Sequence, residues 1–175
     1  MLNNLKNGIM NKTVIFIDLD GTLIKNISAN TFPEDISDFR IQLPILNSLI
    51  LKFPNMQYMF IVSNQGGIGK YMEEDEFKIK LNTIITFCSQ YINNYMKQDV
   101  KVDSKYCKIF DKKNPFRKPN TGMLEEFLQE YNITDLSQCI MIGDASGNER
   151  NPSNTDKKTA ENMGIDYIDI DILIK

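Results

Sequence analysis

Two aspartates that close an apolar run are the residues of this sequence best suited to chemistry. Residues 16–23 read FIDLDGTL, so Asp18 and Asp20 stand two apart, directly before Gly21 and Thr22. Side chains at i and i+2 of a strand point to the same face, so both carboxylates can address one site. One could attack a phosphorus atom while the other handles the proton of the leaving oxygen. An Asp-Gly pair also suits an ordinary tight turn, so the motif alone leaves a structural role open.

The residue types that are missing narrow the chemistry further. The chain has 175 residues and no histidine, which excludes Ser-His-Asp and Cys-His catalysis and His-ligated zinc. Two carboxylates as close as Asp18 and Asp20 repel each other unless a cation offsets their charge. Mg²⁺ takes hard oxygen ligands and can bridge a substrate phosphate, so it is the cofactor that we expect.

Composition sets limits on size, location and partners. A chain of this length with 42% hydrophobic residues suffices for one domain with a core. No apolar run approaches the roughly 18 residues of a membrane span, so we expect no membrane association. Three widely spaced cysteines, Cys88, Cys107 and Cys139, predict free buried thiols in a reducing intracellular compartment, nuclear or cytoplasmic.

Charge is distributed unevenly along the chain. The net charge of −3 argues against non-specific nucleic-acid binding as the main activity. Residues 101–118, however, hold seven Lys and Arg against two Asp, a local net charge of +5. Such a stretch could follow a nucleic-acid backbone, although most basic runs are simply solvated.

A second polar segment, VSNQGGIGK at 62–70, follows another apolar run. Ser63 and Asn64 could donate hydrogen bonds to phosphoryl oxygens, helped by the backbone N–H groups of the loop. The segment is not a nucleotide P-loop, because that motif needs a glycine at Asn64 and a hydroxyl side chain at Tyr71. Glycines that permit a turn are the alternative explanation.

Two later segments add a cation and further carboxylates. In FRKPNTGM, residues 116–123, Lys118 could neutralise a transferring phosphoryl group, and Arg117 offers a planar second donor. In IMIGDASG, residues 140–147, Asp144 follows an apolar strand and could complete a metal site. We interpret Asp156 as a helix N-cap rather than a ligand.

The elements that must position these residues alternate between strand and helix. This alternation predicts an α/β fold with a mostly parallel sheet. Ligands of such sheets lie beyond the carboxyl ends of the strands, where Asp18, Ser63 and Asp144 stand. The expected strands are 13–19, 57–63, part of 100–110, 138–142 and 165–170; the expected helices are 43–53, 73–97, 121–131 and 156–163, with a flap or hairpin in 21–40.

In this order, the four segments resemble the motifs of the haloacid dehalogenase (HAD) superfamily of phosphatases. The resemblance implies a three-layer Rossmann-like fold, with Asp18 as the nucleophile and Asp20 as general acid and then base. It implies that Ser63 and Lys118 hold the phosphoryl group. It also implies that Mg²⁺ is bound by Asp18, Asp144 and the backbone carbonyl of Asp20. The phosphate- or substrate-binding positions that it suggests are Gly21, Thr22, Ser63, Asn64, Gln65, Arg117 and Arg40.

A closer resemblance is to the 3′-phosphatase domain of polynucleotide kinase/phosphatase proteins. Residues 31–44, TFPEDISDFRIQLP, are similar to its F-P…D-W-R segment, with Phe39 in place of Trp. Residues 151–165, NPSNTDKKTAENMGI, are similar to its last segment and include Ser153 and Asp156.

This resemblance implies a phosphatase domain at 13–175 after an N-terminal extension at 1–12. It implies Mg²⁺-dependent removal of 3′-phosphates from nucleic-acid ends through an aspartyl-phosphate, with DNA preferred to RNA. We expect a monomer that lacks a kinase half, since no Walker A sequence is present. No stretch between the motifs is long enough for a large cap domain, so we expect an open site.

Two other functions remain open from the sequence. A small-molecule phosphatase of the histidinol-phosphate or heptose-bisphosphate type shares the S/T-N-Q-x-G-I and R-K-P elements. Its usual zinc loop needs several Cys and a His before R-K-P, whereas Cys107 stands alone here. A non-catalytic protein that binds nucleic-acid ends is disfavoured, because every residue that the chemistry requires is present.

Overall fold

A computed structural model describes residues 11–28, 33, 35–148 and 153–175 of the chain. Parts of the predicted segments 31–44 and 151–165, and residues 1–10 of the predicted N-terminal extension, lie outside these ranges. In chain order the elements are β1 (Val14–Ile17), β2 (Ile24–Lys25), β3 (Arg40–Ile41), α1 (Leu43–Lys52), β4 (Tyr58–Asn64), α2 (Glu74–Tyr95), β5 (Lys101–Cys107), α3 (Gly122–Glu130), a 3₁₀ turn (Leu136–Gln138), β6 (Cys139–Gly143), α4 (Thr155–Met163), β7 (Asp166–Asp169) and α5 (Ile170–Leu173).

A parallel five-stranded sheet with β1 at its centre organises the fold. The strand order is β5-β4-β1-β6-β7. Val14 of β1 pairs with Tyr58 on one side and with Cys139 on the other. All four residues of β1 are buried, as expected for a β-branched and aromatic strand that is covered on both faces. The mostly parallel sheet predicted from the alternating pattern is confirmed.

Helices cover both faces of this sheet. Ile15 and Ile17 point toward α1 and α2, where they share a buried core with Leu46, Leu49 and Ile84. The helical spacing of the apolar residues in α1 and α2 turns one side of each helix toward the sheet.

Phe16 points to the opposite face and packs in a second core with Phe60, Phe127 and Ala160, which brings in α3 and α4. The Phe60 and Phe127 rings stack with centroids 4.2 Å apart. Two cores separated by one sheet make three layers, so the predicted layer architecture is also confirmed.

The segment from β1 to α1 contains the hairpin that the sequence allowed for. Strands β2 and β3 pair antiparallel, with Ile24 opposite Ile41 and Lys25 opposite Arg40. In the ranges that the structure describes, this small hairpin is the only sheet besides the central one. The described part of this segment therefore forms a wall beside the strand ends rather than a bulky cap.

The last predicted strand, 165–170, is wrong at its end. Strand β7 stops at Asp169, whose carboxylate accepts a hydrogen bond of 2.8 Å from Asp171 N and so begins the short helix α5. An aspartate that accepts from the backbone N–H two residues on is a common helix start.

The cysteines and the helix lengths bear on two predictions from composition. Cys88, Cys107 and Cys139 are each buried and unpaired, as predicted. The reducing compartment inferred from them stays a prediction. Among the helices in the described ranges, none is long and apolar enough to cross a membrane.

Candidate active site

One buried lysine connects two of the site's carboxylates. Asp18 follows β1 directly and is 8% exposed, while Lys118 comes from the loop before α3 and is 3% exposed. Lys118 Nζ donates to Asp18 Oδ1 at 2.5 Å and to Asp156 Oδ1 at 2.7 Å. A single ammonium therefore serves two buried carboxylates, which are brought together from distant parts of the chain.

Asn64 positions the backbone of Lys118. At the end of β4, Asn64 Oδ1 accepts from Lys118 N at 2.9 Å, and Asn64 Nδ2 donates to Lys118 O at 2.9 Å. The Lys118–Pro119 peptide bond is cis. The side-chain amide of Asn64 is thus engaged with the Lys118 backbone. The predicted hydrogen bond from Asn64 to a phosphate stays a prediction.

The interpretation of Asp156 as an N-cap is wrong. Asn154 is the N-cap of α4, and Asp156 is the second residue of the helix, 1% exposed. Its Oδ1 accepts from Lys118, and its Oδ2 accepts from Ala145 N at 3.2 Å. Gly143 permits this approach, because a Cβ at that position would overlap the Asp156 carboxylate. The need to neutralise buried Lys118 therefore turns Asp156 inward.

Three carboxylates form a group that could hold a metal ion. Asp18, Asp144 and Asp156 each offer an oxygen, and these oxygens lie within 4.8 Å of one another. Asp18 and Asp144 were predicted metal ligands, whereas Asp156 was not. Asp20 entered the predicted set through its backbone carbonyl, and its carboxylate lies outside this group.

Two neighbouring residues fix the position of Asp144. Thr22 is fully buried, and its Oγ1 accepts from Asp144 N at 3.0 Å and donates to Asp144 Oδ1 at 3.3 Å. Gly21 has a φ of +87°, and a Cβ there would come within 2.5 Å of Asp144 Oδ2. These predicted phosphate-binding residues therefore shape the acidic group, and their contact with phosphate stays a prediction.

The electrostatics of this group call for additional positive charge. Burial raises the pKa of Asp18 to about 8; Lys118 opposes that shift and the Asp156 charge adds to it. Burial alone would lower the pKa of Lys118, but Asp156 and Asp18 together hold it above its ordinary value. Three carboxylates against one ammonium leave an excess of negative charge. The all-oxygen donors and this excess both fit Mg²⁺.

Asp20 belongs to a separate chain of hydrogen bonds at the rim. It is exposed, and its Oδ2 accepts from Gln65 Nε2 at 2.5 Å. The same amide nitrogen donates to Ser63 Oγ at 2.8 Å, and Ser63 is 3% exposed. The structure thus brings three predicted site residues together, with Gln65 linking the two that were assigned to acid catalysis and phosphate binding.

The predicted substrate-binding arginines lie outside the acidic group. Arg117 Nη1 donates to Ile109 O at 3.2 Å, and its guanidinium lies 4.8 Å from the centre of the exposed Phe110 ring. Arg40 lies on β3 and lines a cavity next to Asp20. Neither position tests a contact with substrate.

The basic stretch 101–118 is partly neutralised within the chain. Lys105 forms ion pairs with Glu126 and Glu130, and Lys108 pairs with Glu74. Together with buried Lys118, these lysines are committed to internal partners. Only the remainder of the stretch can therefore serve as a free basic surface.

A cavity of about 630 Å³ opens beside Asp20. It has the size of a small-ligand site. Lys80 of α2 belongs to its wall and was missed by the sequence analysis. A signal was present, because Lys80 lies three residues after Phe77 and four before Ile84, within the apolar stripe of the helix. Residues of the wall that matter for its chemistry are Asp20, Lys25, Arg40, Gln65, Tyr71 and Lys80.

The chain matches a known protein family over most of its length. The family described as polynucleotide kinase 3 phosphatase matches residues 13–169. The chain belongs to this family. The match includes β1, the Lys118 loop and α4, so every side chain of the acidic group is covered by it.

The relatives of this chain include two kinds of phosphatase. The chain is 35% identical over 167 residues to the bifunctional polynucleotide phosphatase/kinase of Schizosaccharomyces pombe. This alignment covers 93% of this chain and 38% of that protein. The chain thus spans well under half of that relative's length. It is also 31% identical over 137 residues to the D-glycero-alpha-D-manno-heptose-1,7-bisphosphate 7-phosphatase of Campylobacter jejuni, covering 77% of this chain and 73% of that enzyme.

Solved structures agree on the fold. The D,D-heptose 1,7-bisphosphate phosphatase of B. bronchiseptica, complexed with magnesium and phosphate, superposes with a TM-score of 0.60 and 18% identity, covering 89% of this chain and 78% of that one. The structural neighbours are HAD-like phosphatases. By family the chain is a member of the polynucleotide kinase 3 phosphatase group, and its fold is the one that these HAD-like phosphatases share.

Proposed function

We propose that this protein is a Mg²⁺-dependent polynucleotide 3′-phosphatase that acts on nucleic-acid ends, with DNA preferred to RNA. The observation that carries the proposal is the family match over residues 13–169, which includes all members of the acidic group. We expect the active unit to be a monomer, since one chain supplies a complete acidic group.

The first chemical step is transfer of the phosphoryl group to the enzyme. A carboxylate oxygen of Asp18 bonds to phosphorus while the bond between phosphorus and the 3′ oxygen breaks. Asp20 gives its proton to that leaving oxygen. Lys118, in contact with Asp18, and Ser63 hold the phosphoryl oxygens.

The second step releases phosphate. Asp20, now ionised, accepts a proton from a water whose oxygen attacks the phosphorus of the aspartyl-phosphate, and Asp18 is restored as inorganic phosphate leaves. Asp18, Asp144 and Asp156 would hold Mg²⁺, which when bound supplies positive charge to the phosphoryl oxygens.

The shape of the site supports a polymeric substrate. Asp20 marks the leaving-group side, since it is the proposed proton donor, and the cavity opens from it. Among the described residues of its wall, three cationic side chains, Lys25, Arg40 and Lys80, stand against the single carboxylate of Asp20. A nucleic-acid end brings phosphodiester anions to that side, whereas histidinol phosphate brings an ammonium group that these cations would repel.

A substrate panel tests the proposal. Oligonucleotides of DNA and RNA with 3′-phosphate ends are compared with heptose 1,7-bisphosphate and histidinol phosphate in the presence of Mg²⁺. We expect the highest kcat/KM on DNA 3′-phosphates, and no turnover with EDTA. Asp18→Asn should remove activity and still fold, because Lys118 keeps Asp156 as its counter-ion. Release of phosphate by that variant would disprove the nucleophile assignment.

A small-molecule phosphatase of the heptose-bisphosphate type is the second candidate. The identity to the C. jejuni enzyme, 31% with most of both chains covered, favours it. If the panel shows turnover of heptose bisphosphate and none of the oligonucleotides, this second function replaces the first. A protein that binds 3′-phosphorylated ends without any turnover would be the non-catalytic alternative.

A further inference from the structure

Lys80 is a charged residue in a place where the fold calls for an apolar one. It lies on the inward side of α2, among Phe77, Leu81 and Ile84, and is 3% exposed. Burying an ammonium is costly unless it has a partner, so such a lysine is unusual in a helix stripe that faces a core.

The structure offers Lys80 little compensation. Within the described parts of the chain, its Nζ makes no hydrogen bond or salt bridge, and its aromatic contact is with the Phe39 ring, 5.3 Å from the centroid. Burial lowers the pKa of Lys80, while the charges of Asp20, Asp38 and Asp35 oppose the shift from a distance. Among the described residues, no fully enclosed side-chain N or O atom lacks a partner. The Lys80 ammonium therefore opens to the cavity that it lines.

A second feature of the same wall is a pair of exposed cations that have no ion-pair partner among the described residues. Lys25 and Arg40 are directly opposite each other in the hairpin of β2 and β3, and both line the cavity. Like charges opposite each other on paired strands are destabilising. An anion between these side chains and Lys80 would offset both unfavourable features at once.

We propose that Lys80, together with Lys25 and Arg40, binds a second phosphate group of the substrate, on the leaving-group side of Asp20. This inference rests on the proposed function and deepens it. For a nucleic-acid end, the second phosphate is the phosphodiester on the 5′ side of the terminal nucleotide. The exposed ring of Tyr71, in the same wall, is suited to contact the terminal base. Lys80 is thus a residue that determines specificity, because it contacts the substrate away from the reacting atoms.

A matched pair of substrates tests the second-phosphate site. A deoxynucleoside 3′-monophosphate is compared with the deoxynucleoside 3′,5′-bisphosphate, which differs only in the second phosphate. The wild-type protein should prefer the bisphosphate in kcat/KM. Lys80→Met keeps the length of the side chain and removes its charge, so it should reduce this preference about tenfold or more, the size of effect typical of a hydrogen bond to a charged group.

Lys78→Met is the control on the same helix. Lys78 is exposed and pairs with Glu74 and Asp75, so its loss should leave the preference as in the wild-type protein. Thermal unfolding of both variants verifies folding, and Lys80→Met should be at least as stable as the wild-type protein, because an uncompensated buried charge is removed.

The outcomes separate this inference from the proposed function. Suppose that oligonucleotides are turned over, but Lys80→Met changes kcat/KM for the monophosphate and the bisphosphate by the same factor, or changes neither. The second-phosphate site is then wrong and the proposed function stands. A heptose comparison, the 1,7-bisphosphate against the 7-phosphate, covers the other case. If only heptose substrates are turned over, and the preference of the enzyme for the bisphosphate depends on Lys80, the second-phosphate site stands and the nucleic-acid function is wrong.

Discussion

Replacing Lys118 by Met should expose how the buried carboxylates are neutralised. The Lys118 ammonium is the shared partner of Asp18 and Asp156. The exposed fraction of the side chain is 2% for Lys118, 11% for Asp18 and 1% for Asp156. A methionine of similar length preserves packing but leaves two buried carboxylates without their cation. Removing one partner of a buried ion pair costs about 3–5 kcal/mol.

A loss of this size is large for a domain of 175 residues. Each kcal/mol lowers the melting temperature by about 2–4 °C at this size, so Lys118→Met should melt roughly 6–20 °C below the wild-type protein in metal-free buffer at pH 7. Adding Asp156→Asn should recover part of the loss, because only Asp18 then remains without a counter-ion. The measurement is thermal and urea unfolding with EDTA present.

The pH dependence of this loss has a defined sign. Burial raises the pKa of Asp18 from 3.8 to about 8 even with Lys118 in place, and removing Lys118 removes an opposing cause. A carboxylate whose pKa is raised in the folded state destabilises that state only above its unfolded pKa. The contribution of Asp18 to the deficit of Lys118→Met should therefore grow as the pH rises through about 8, where this carboxyl ionises in the wild-type protein, and should be small at lower pH.

The control variant is Lys108→Met. Lys108 pairs with Glu74 at the surface, where their side chains are 50% and 33% exposed, and such pairs contribute about 0–1 kcal/mol. Equal stability of Lys118→Met and the wild-type protein at pH 7 without metal would refute the charge balance that we infer. So would a double variant that is less stable than Lys118→Met alone.

Two further substitutions test the acid and the acidic group. Asp20→Asn should slow hydrolysis of nucleotide 3′-phosphates by about 10²–10⁴-fold but an activated aryl phosphate much less, because a good leaving group needs no proton; equal losses on both, measured as kcat/KM, would contradict the acid role. Gly21→Ala should displace Asp144 and lower stability by about 1–2 kcal/mol, because its Cβ meets Asp144 Oδ2 at 2.5 Å. Gly69→Ala, also at positive φ but with no atom within 4 Å of its Cβ, isolates the backbone strain, and equal urea unfolding of the two would contradict the clash.

The strand-end residues could be located from sequence because their signal is local. Asp18, Ser63 and Asp144 each follow a short apolar run, and parallel strands bring such ends to one rim. The element pattern is local too, so the layers were predicted correctly. The end of β7 was not, because Asp169 starts a helix through a hydrogen bond to Asp171 N that apolar periodicity does not encode.

Helical residues of the site were harder to assign. Asp156 at the start of a helix matches the statistics of a cap, but a lysine 38 positions away in sequence turns it inward. Lys80 was passed over because a helix stripe is recognised by its apolar members. A polar residue in such a stripe is taken for a break in the apolar pattern unless the cavity beside it is known.

The amino-acid sequence by itself determined the order of strands and helices, the chemical types gathered at the strand ends, and the exclusion of histidine chemistry. Those properties follow from hydrophobic periodicity and composition, which act between neighbours in the chain. Only the tertiary structure decided that Lys118 serves both Asp18 and Asp156, that Asp156 joins Asp144 at the acidic group, and that Lys80 opens to a cationic cavity. Ion pairing depends on distances and burial between segments far apart in sequence, and folding alone sets those.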